Sequence, residues 1–258
     1  MRTILYYFTG TGNTLSITRK LAGLLGGAEM VFIPDVIREE GLVSPDADRV
    51  GIIFPVYMLA PPLIVRDLIK KLTLKEGAYV FAVCDHGGMA AGTLRIVSDL
   101  LAERGIRLSA GFTVRMPENY LPFRSRKGDK DLDGILSRSD KKVEEIAGMV
   151  ATGKEARVEK SLSFLSSLTW KLFCPKTPTM DSEFRVRKGC TSCGVCEKVC
   201  PAGDIVMKDG RPEWQGRCYQ CYACINWCPE GVIEAGKGTE GKGRYHHPGV
   251  KLEDVIRK

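Results

Sequence analysis

Cys190-Thr-Ser-Cys193-Gly-Val-Cys196-Glu-Lys-Val-Cys200-Pro201 and Cys218-Tyr-Gln-Cys221-Tyr-Ala-Cys224-Ile-Asn-Trp-Cys228-Pro229 are two copies of one pattern, 28 positions apart. Together they hold eight of the ten cysteines of the chain. The copies agree beyond the sulfurs, with Gly203 and Ile205 matching Gly231 and Ile233. Three thiolates at intervals of three residues lie on one tight loop and can bind three irons of a single cubane. The fourth cysteine lies beyond that loop, points the other way and ligates the cluster of the other copy. The spacing therefore predicts two [4Fe–4S] clusters. One is held by Cys190, Cys193, Cys196 and Cys228, the other by Cys200, Cys218, Cys221 and Cys224. Small residues at Gly194 and Ala223 let backbone approach the inorganic sulfides. Zinc sites use pairs of cysteines rather than runs of four. A disulfide framework belongs to oxidising compartments and short secreted chains.

Such a unit needs only roughly 60 residues, so a larger domain precedes it in a chain of 258. The composition, 44% hydrophobic and 27% charged, is that of a soluble globular protein. No apolar run approaches the roughly 20 residues of a membrane span. MRTILYYFTG at the N-terminus has no small-residue cleavage site. Intact thiolates also favour a reducing compartment, and a cytoplasmic location is expected. Of the net charge of +7, residues 151–189 carry 8 Lys/Arg against 4 Asp/Glu, an excess of +4. A nucleic-acid footprint would need a broad basic face, so no nucleic-acid partner is expected.

The N-terminal run Arg2-Thr-Ile-Leu-Tyr-Tyr-Phe8 is apolar and β-prone, as a buried parallel strand is. It leads into Thr9-Gly10-Thr11-Gly12-Asn13-Thr14 and then a helical pattern through Leu15, Ile17, Leu21, Leu24 and Leu25. Strand, Gly/Thr turn and helix N-terminus is a layout for binding phosphate, with backbone N–H groups and threonine hydroxyls facing the anion. The turn lacks the lysine of an ATP-type P-loop. Leu15 stands where a dinucleotide fingerprint has its third glycine. Further strands are expected at 28–33, 49–54, 78–84 and 106–114, and helices at 14–25, 62–72, 92–104 and 138–151. Alternation of this kind argues a parallel sheet.

Thr-Gly-Thr-Gly-Asn-Thr after a first strand resembles the FMN phosphate loop of flavodoxins. The resemblance implies a doubly wound five-stranded parallel α/β sheet of order 2-1-3-4-5, with FMN at the switch point. It also implies that the loops after the third and fourth strands, Pro55-Val56-Tyr57-Met58 and Asp85-His86-Gly87-Gly88, flank the isoalloxazine ring. The loop carrying Asn119 and Tyr120 borders the flavin as well. Tyr57 reads either as a ring-stacking residue or as an ordinary half-buried aromatic, and His86 as a hydrogen-bonded loop residue. The whole chain resembles flavodoxin–ferredoxin fusion proteins, and the likeness extends to Arg244-Tyr245-His246-His247-Pro248. The cysteine unit is then an α+β ferredoxin-like domain. The implied division is 1–152 for the FMN domain, 153–182 for a basic connector, 183–236 for the cluster domain and 237–258 for a tail.

In the connector, Leu162, Leu165, Leu168 and Leu172 are spaced as on an amphipathic helix over 161–175. It either packs between the domains or, with Lys160, Lys171 and Lys176, rests on an anionic membrane surface. Cys84 and Cys174 have no motif and read as small buried thiols. Clusters carry one electron at a time, whereas FMN holds one or two. The expected function is electron transfer between clusters and FMN, with a ferredoxin or an oxidoreductase as partner protein; a homodimer is left open. The alternative is an FMN-dependent reductase of a small substrate, fed through the clusters.

Overall fold

The computed structural model describes residues 1–124, 130–156, 163–236 and 238–256, with the side chains of 163–165 outside the description. Five strands, β1 Thr3–Tyr7, β2 Glu29–Phe32, β3 Arg49–Pro55, β4 Tyr79–His86 and β5 Ala110–Arg115, form one sheet of order β2-β1-β3-β4-β5. Every neighbouring pair is parallel. This is the flavodoxin-like sheet expected from the alternating pattern. Its continuous apolar strands are explained by burial on both faces. Tyr6, Phe8, Ile52, Phe54 and Ala82 face α3 (Leu63–Lys71) and α4 (Thr93–Ala102) through Leu68, Val97 and Leu101. Leu5, Ile53, Phe81, Val83 and Phe112 face α1 (Asn13–Leu24) and α5 (Leu132–Ala151) through Ile17, Leu21, Val143 and Ile146.

A short helix, α2 Ile33–Arg38, follows β2 directly, where the sequence reading ran the strand on through residue 33. Pro34 sits in its first turn, where the missing N–H costs nothing. The connector contains α6 Ser163–Leu172 and a ten-residue 3₁₀ segment, Cys174–Glu183. Of the expected leucine stripe, Leu168 and Leu172 are exposed. Ser166 is buried instead, its Oγ accepting the Gly92 N–H at 2.8 Å. Leu162 and the side chain of Leu165 lie outside the described residues. Among the described residues, no helix is long and apolar enough to cross a membrane.

The C-terminal ferredoxin-like region has two small antiparallel sheets. One joins β6 Phe184–Val186 to β9 Ile233–Ala235, the other joins β7 Ile205–Lys208 to β8 Arg211–Trp214. Two single-turn helices, α7 Val195–Lys198 and α8 Ala223–Asn226, each follow a cysteine loop. The repeat seen in the sequence recurs in the backbone. Ser192 and Gly194 have φ of 58° and 70°; their counterparts 28 positions on, Gln220 and Tyr222, have 55° and 58°. Three of these four residues carry side chains that disfavour the left-handed region. Both copies adopt it, so the loop shape is shared by the two copies of the motif. The cluster domain and the sheet domain share a core contact, with Leu121 from the loop after β5 buried among Ile205, Tyr222, Ile225 and Ile233.

Candidate functional site

All ten cysteines are free thiols. Cys190, Cys193, Cys196 and Cys228 line one cavity, and Cys200, Cys218, Cys221 and Cys224 line another. The fourth cysteine of each copy thus turns to the other copy's loop. Among the described residues, no three His, Cys, Asp or Glu side chains converge on a single-ion site. Thiols spread around a void suit a multi-iron cluster better than one metal ion. Burial pushes the Cys196 thiol up to about 11 and the thiols of Cys200, Cys218 and Cys224 upward too. Ionising these four buried thiols takes a compensating positive charge nearby. Two backbone N–H groups point at sulfur, Asp204 to Cys200 Sγ (3.3 Å) and Gln220 to Cys218 Sγ (3.2 Å). The sets differ in exposure: Cys193 is exposed, whereas Cys200, Cys218, Cys221 and Cys224 are all buried.

The Thr9–Thr14 turn joins β1 to α1. Thr9 Oγ1 accepts the Gly12 N–H (3.1 Å), and Thr11 Oγ1 accepts from Asn119 Nδ2 (2.8 Å). Each hydroxyl therefore keeps its own proton to donate. The N–H groups of Asn13, Thr14 and Leu15 begin α1 and make no backbone hydrogen bond among the described residues. This donor set fits a phosphate. Asn13 is fixed on both sides, donating to Pro117 O (3.0 Å) and accepting from the Tyr245 hydroxyl (2.7 Å). Thr14 is used differently, its hydroxyl donating to Asp85 Oδ1 at 2.5 Å.

Asp85 also ties the loops after β3 and β4 together, since its carbonyl accepts the Val56 N–H at 2.8 Å. Burial pushes its carboxyl up to about 7, and the Thr14 hydrogen bond opposes that rise. Pro55 ends β3, and a tight turn follows in which Tyr57 and Ala60 exchange two backbone hydrogen bonds of 2.9 Å. Met58, in that turn, has φ of 49°. The Tyr57 ring meets Phe8 edge-on at 6.3 Å, and Phe8 meets Tyr219 of the cluster domain at 5.8 Å. The Tyr57 hydroxyl is buried without a hydrogen-bond partner. Burial raises its pKa well above the usual value, with Cys221 and Asp85 adding to the rise. An orphaned hydroxyl between the ring loops and the buried cysteine set suits a polar ligand edge. Gly87 packs against Glu118, Gly88 is open, and burial lowers the pKa of His86. Asn119 joins the turn through Thr11. Tyr120 instead faces Tyr222 of the cluster domain, 5.1 Å away.

Two residues that contact the turn, Trp227 and Val250, were not singled out in the sequence. Trp227 Nε1 donates to Gly10 O (3.0 Å). A methyl group on Gly10 would stand 2.9 Å from Cys221 Cβ, so a cysteine loop rests on the turn itself. Val250 covers Gly12, where a methyl would be 2.9 Å from its Cβ and where φ is 95°. The His247 N–H donates to Thr11 O (2.8 Å). His246 stacks on Trp227 at 4.1 Å, and His247 Nδ1 accepts the Gly249 N–H at 3.0 Å. The paired histidines thus serve packing. Arg244 donates to Glu234 Oε1 (2.9 Å), a carboxylate with no exposed surface, and to the carbonyls of Gly231 and Ile233.

Residues 189–233 match the family model of the 4Fe–4S dicluster domain. One component of the ion-translocating oxidoreductase complex of Methanosarcina acetivorans is 45% identical over 47 residues, which is 18% of this chain and 18% of that protein. Among solved structures, an FMN-dependent NADH-azoreductase from Bacillus anthracis with FMN bound is similar at 11% identity and TM-score 0.42. It is matched over 58% of this chain and 100% of its own. A flavodoxin from the domain Archaea is similar at 12% identity and TM-score 0.37, over 58% of this chain and 99% of its own. The chain therefore joins a flavodoxin-like sheet to a 4Fe–4S ferredoxin-like region, an arrangement that supports electron transfer.

Proposed function

We propose that the chain is an electron-transfer iron–sulfur flavoprotein carrying two [4Fe–4S] clusters and one FMN. The divisions at 1–152, 153–182, 183–236 and 237–258 are part of this reading. The cluster ligands are the two cysteine sets described above. Bound FMN supplies a centre that accepts one or two electrons. Thr9, Thr11 and the N–H groups of Asn13, Thr14 and Leu15 would hold its phosphate, and the Tyr57 and Asp85 loops would border its ring. The observation that carries the reading is the seat of the Cys221 loop on Gly10, reinforced by the Trp227–Gly10 hydrogen bond. It puts a proposed cluster ligand in contact with the proposed phosphate turn. The exposure of Cys193 supports entry of electrons at the other cysteine set. The order would run from partner protein to the exposed cluster, then the buried cluster, then FMN.

Gly10→Ala tests the contact directly. The added methyl meets Cys221 backbone, which cannot swing away as a flexible side chain does. In molecules that iron and FMN analysis shows to be fully loaded, electron transfer from clusters to flavin should slow at least tenfold. Unchanged transfer in a fully loaded Gly10→Ala protein would count against this route. The reductase alternative is kept because an open crevice adjoins Thr9 and Gly10.

A further inference from the structure

A crevice of about 420 Å³ opens at the C-terminal ends of β1 and β2, and the loops after β3 and β4 do not line it. From the sheet it is lined by Tyr7 and Phe32, whose rings stand 5.2 Å apart. From the other side come Val199 of the cluster domain and Val255 and Ile256 of the C-terminal segment. Arg38 of α2 stands at its edge, and Thr9 reaches it from the turn. Gly10 of the turn lines it too, and apart from Thr9 and Gly10 none of the lining residues has a place in the cysteine sets or the FMN reading.

We propose that this crevice binds a planar aromatic compound bearing an anionic group. Aromatic rings on one wall and aliphatic side chains on the other make a slot for a flat apolar body. The volume lies within the ordinary range for small-molecule pockets, roughly 300–1,000 Å³. Arg38 Nη2 donates to Pro201 O at 3.1 Å. That bond anchors the guanidinium to the cluster domain and leaves its other N–H groups for a carboxylate, sulfonate or phosphate. Of the two carboxylates that line the crevice, Asp254 is engaged by Arg19 through hydrogen bonds of 2.7 and 3.1 Å. Asp35 is exposed and remains available to a donor on the ligand. Val199 immediately precedes Cys200, so a ligand here would lie beside the buried cysteine set. The binding itself depends on neither clusters nor FMN. Only its use as an electron acceptor would rest on the function proposed above.

The test uses two dyes of one shape, 1,4-naphthoquinone-2-sulfonate and unsubstituted 1,4-naphthoquinone, in equilibrium binding to the full-length protein as isolated. Wild type should bind the sulfonate saturably and about tenfold more tightly than the neutral quinone, as one charge-assisted hydrogen-bonded pair predicts. Arg38→Gln should erase that preference and Arg38→Lys should keep part of it. Phe32→Ala should weaken both compounds. Iron content and thermal midpoint report whether each variant is folded. Absence of saturable binding, or a sulfonate preference that survives in folded Arg38→Gln, would overturn the proposal. So would displacement of the dye by added FMN, because the site would then be the flavin's own. Loss of iron or flavin from the wild type with dye binding intact would instead count against the proposed function alone.

Discussion

Thr11 and Thr14 are three positions apart on one turn, yet their hydroxyls face different tasks. Thr11 accepts from Asn119 and keeps its own proton to donate, whereas Thr14 gives its proton to Asp85. Thr11→Ala should therefore lower FMN affinity about tenfold, the loss of one hydrogen bond to a charged group of about 1.5–3 kcal/mol. Thr14→Ala should act mainly through Asp85, whose carboxyl it should push higher still. Titrating FMN fluorescence against each variant separates the two. Asp85 carries a pH signature of its own. An unfolded aspartate titrates near 3.9, and burial raises this one to about 7. The folded state holds the proton more tightly, so the site adds stability that is full below about pH 4 and lost as pH rises through about 7. Urea unfolding should show wild type losing up to about 4 kcal/mol across that window, and Asp85→Asn losing distinctly less. Equal slopes for the two proteins would contradict the assignment. The residue types of the turn were legible because Gly and Thr between a strand and a helix have few other uses. The fate of each hydroxyl was not, because Asp85 lies 71 positions from Thr14 and Asn119 lies 108 from Thr11.

At the scale of elements, the segment from Arg244 to Asp254 fastens the two units together. Arg244 is nearly buried against Glu234, Tyr245 reaches Asn13, Val250 caps Gly12, and Asp254 grips Arg19. Removing Arg244 leaves the Glu234 carboxylate short of a partner in an unexposed site, although Arg187 still donates to it at 3.1 Å. Arg244→Ala should cost about 3 kcal/mol, read from denaturant unfolding of the loaded protein. Tyr245→Phe should leave iron content intact and speed FMN loss severalfold, because it frees Asn13 from one of its two ties. FMN release as slow as in wild type would show that the segment does not govern the turn. As a string, Arg-Tyr-His-His-Pro was only a recurring resemblance, for each of its partners lies elsewhere in the chain. The sheet was more legible, since strands buried on both faces are written as continuous apolar runs. The six-residue α2 was not, because Pro34 next to an apolar run reads as a stop. In α6 the leucine spacing marked a helix, with Leu168 and Leu172 exposed on it. Periodicity marks a face, but Ser166 rather than Leu168 meets the neighbouring helix end.

For the molecule as a whole, the two cysteine sets and the turn form a graded series from surface to interior. Cys193 is exposed, Cys224 is buried, and Gly10 lies under Cys221. The crossed pairing is proposed from the spacing, and each proposed set of four cysteines lines one cavity. What spacing could not tell was which set faces the sheet domain, since the copies are equivalent in sequence and only the fold distinguishes them. Anaerobically reconstituted protein should carry about eight irons and eight sulfides, and saturation at four would contradict the two-cluster reading. Cys200→Ala should damage the set containing Cys218, Cys221 and Cys224 rather than its sequence neighbours. Joining both kinds of centre in one chain raises their mutual effective concentration to about millimolar or more, so exchange between them should not depend on protein concentration. The most direct measurement is stopped-flow bleaching of the flavin after mixing with reduced ferredoxin, comparing wild type with Cys193→Ala/Cys221→Ala. Wild type should bleach at a rate independent of its own concentration. The double variant should still bind FMN and be reduced normally by light and a small-molecule donor, but only slowly by ferredoxin. Bleaching of the double variant by ferredoxin as fast as wild type would contradict the account.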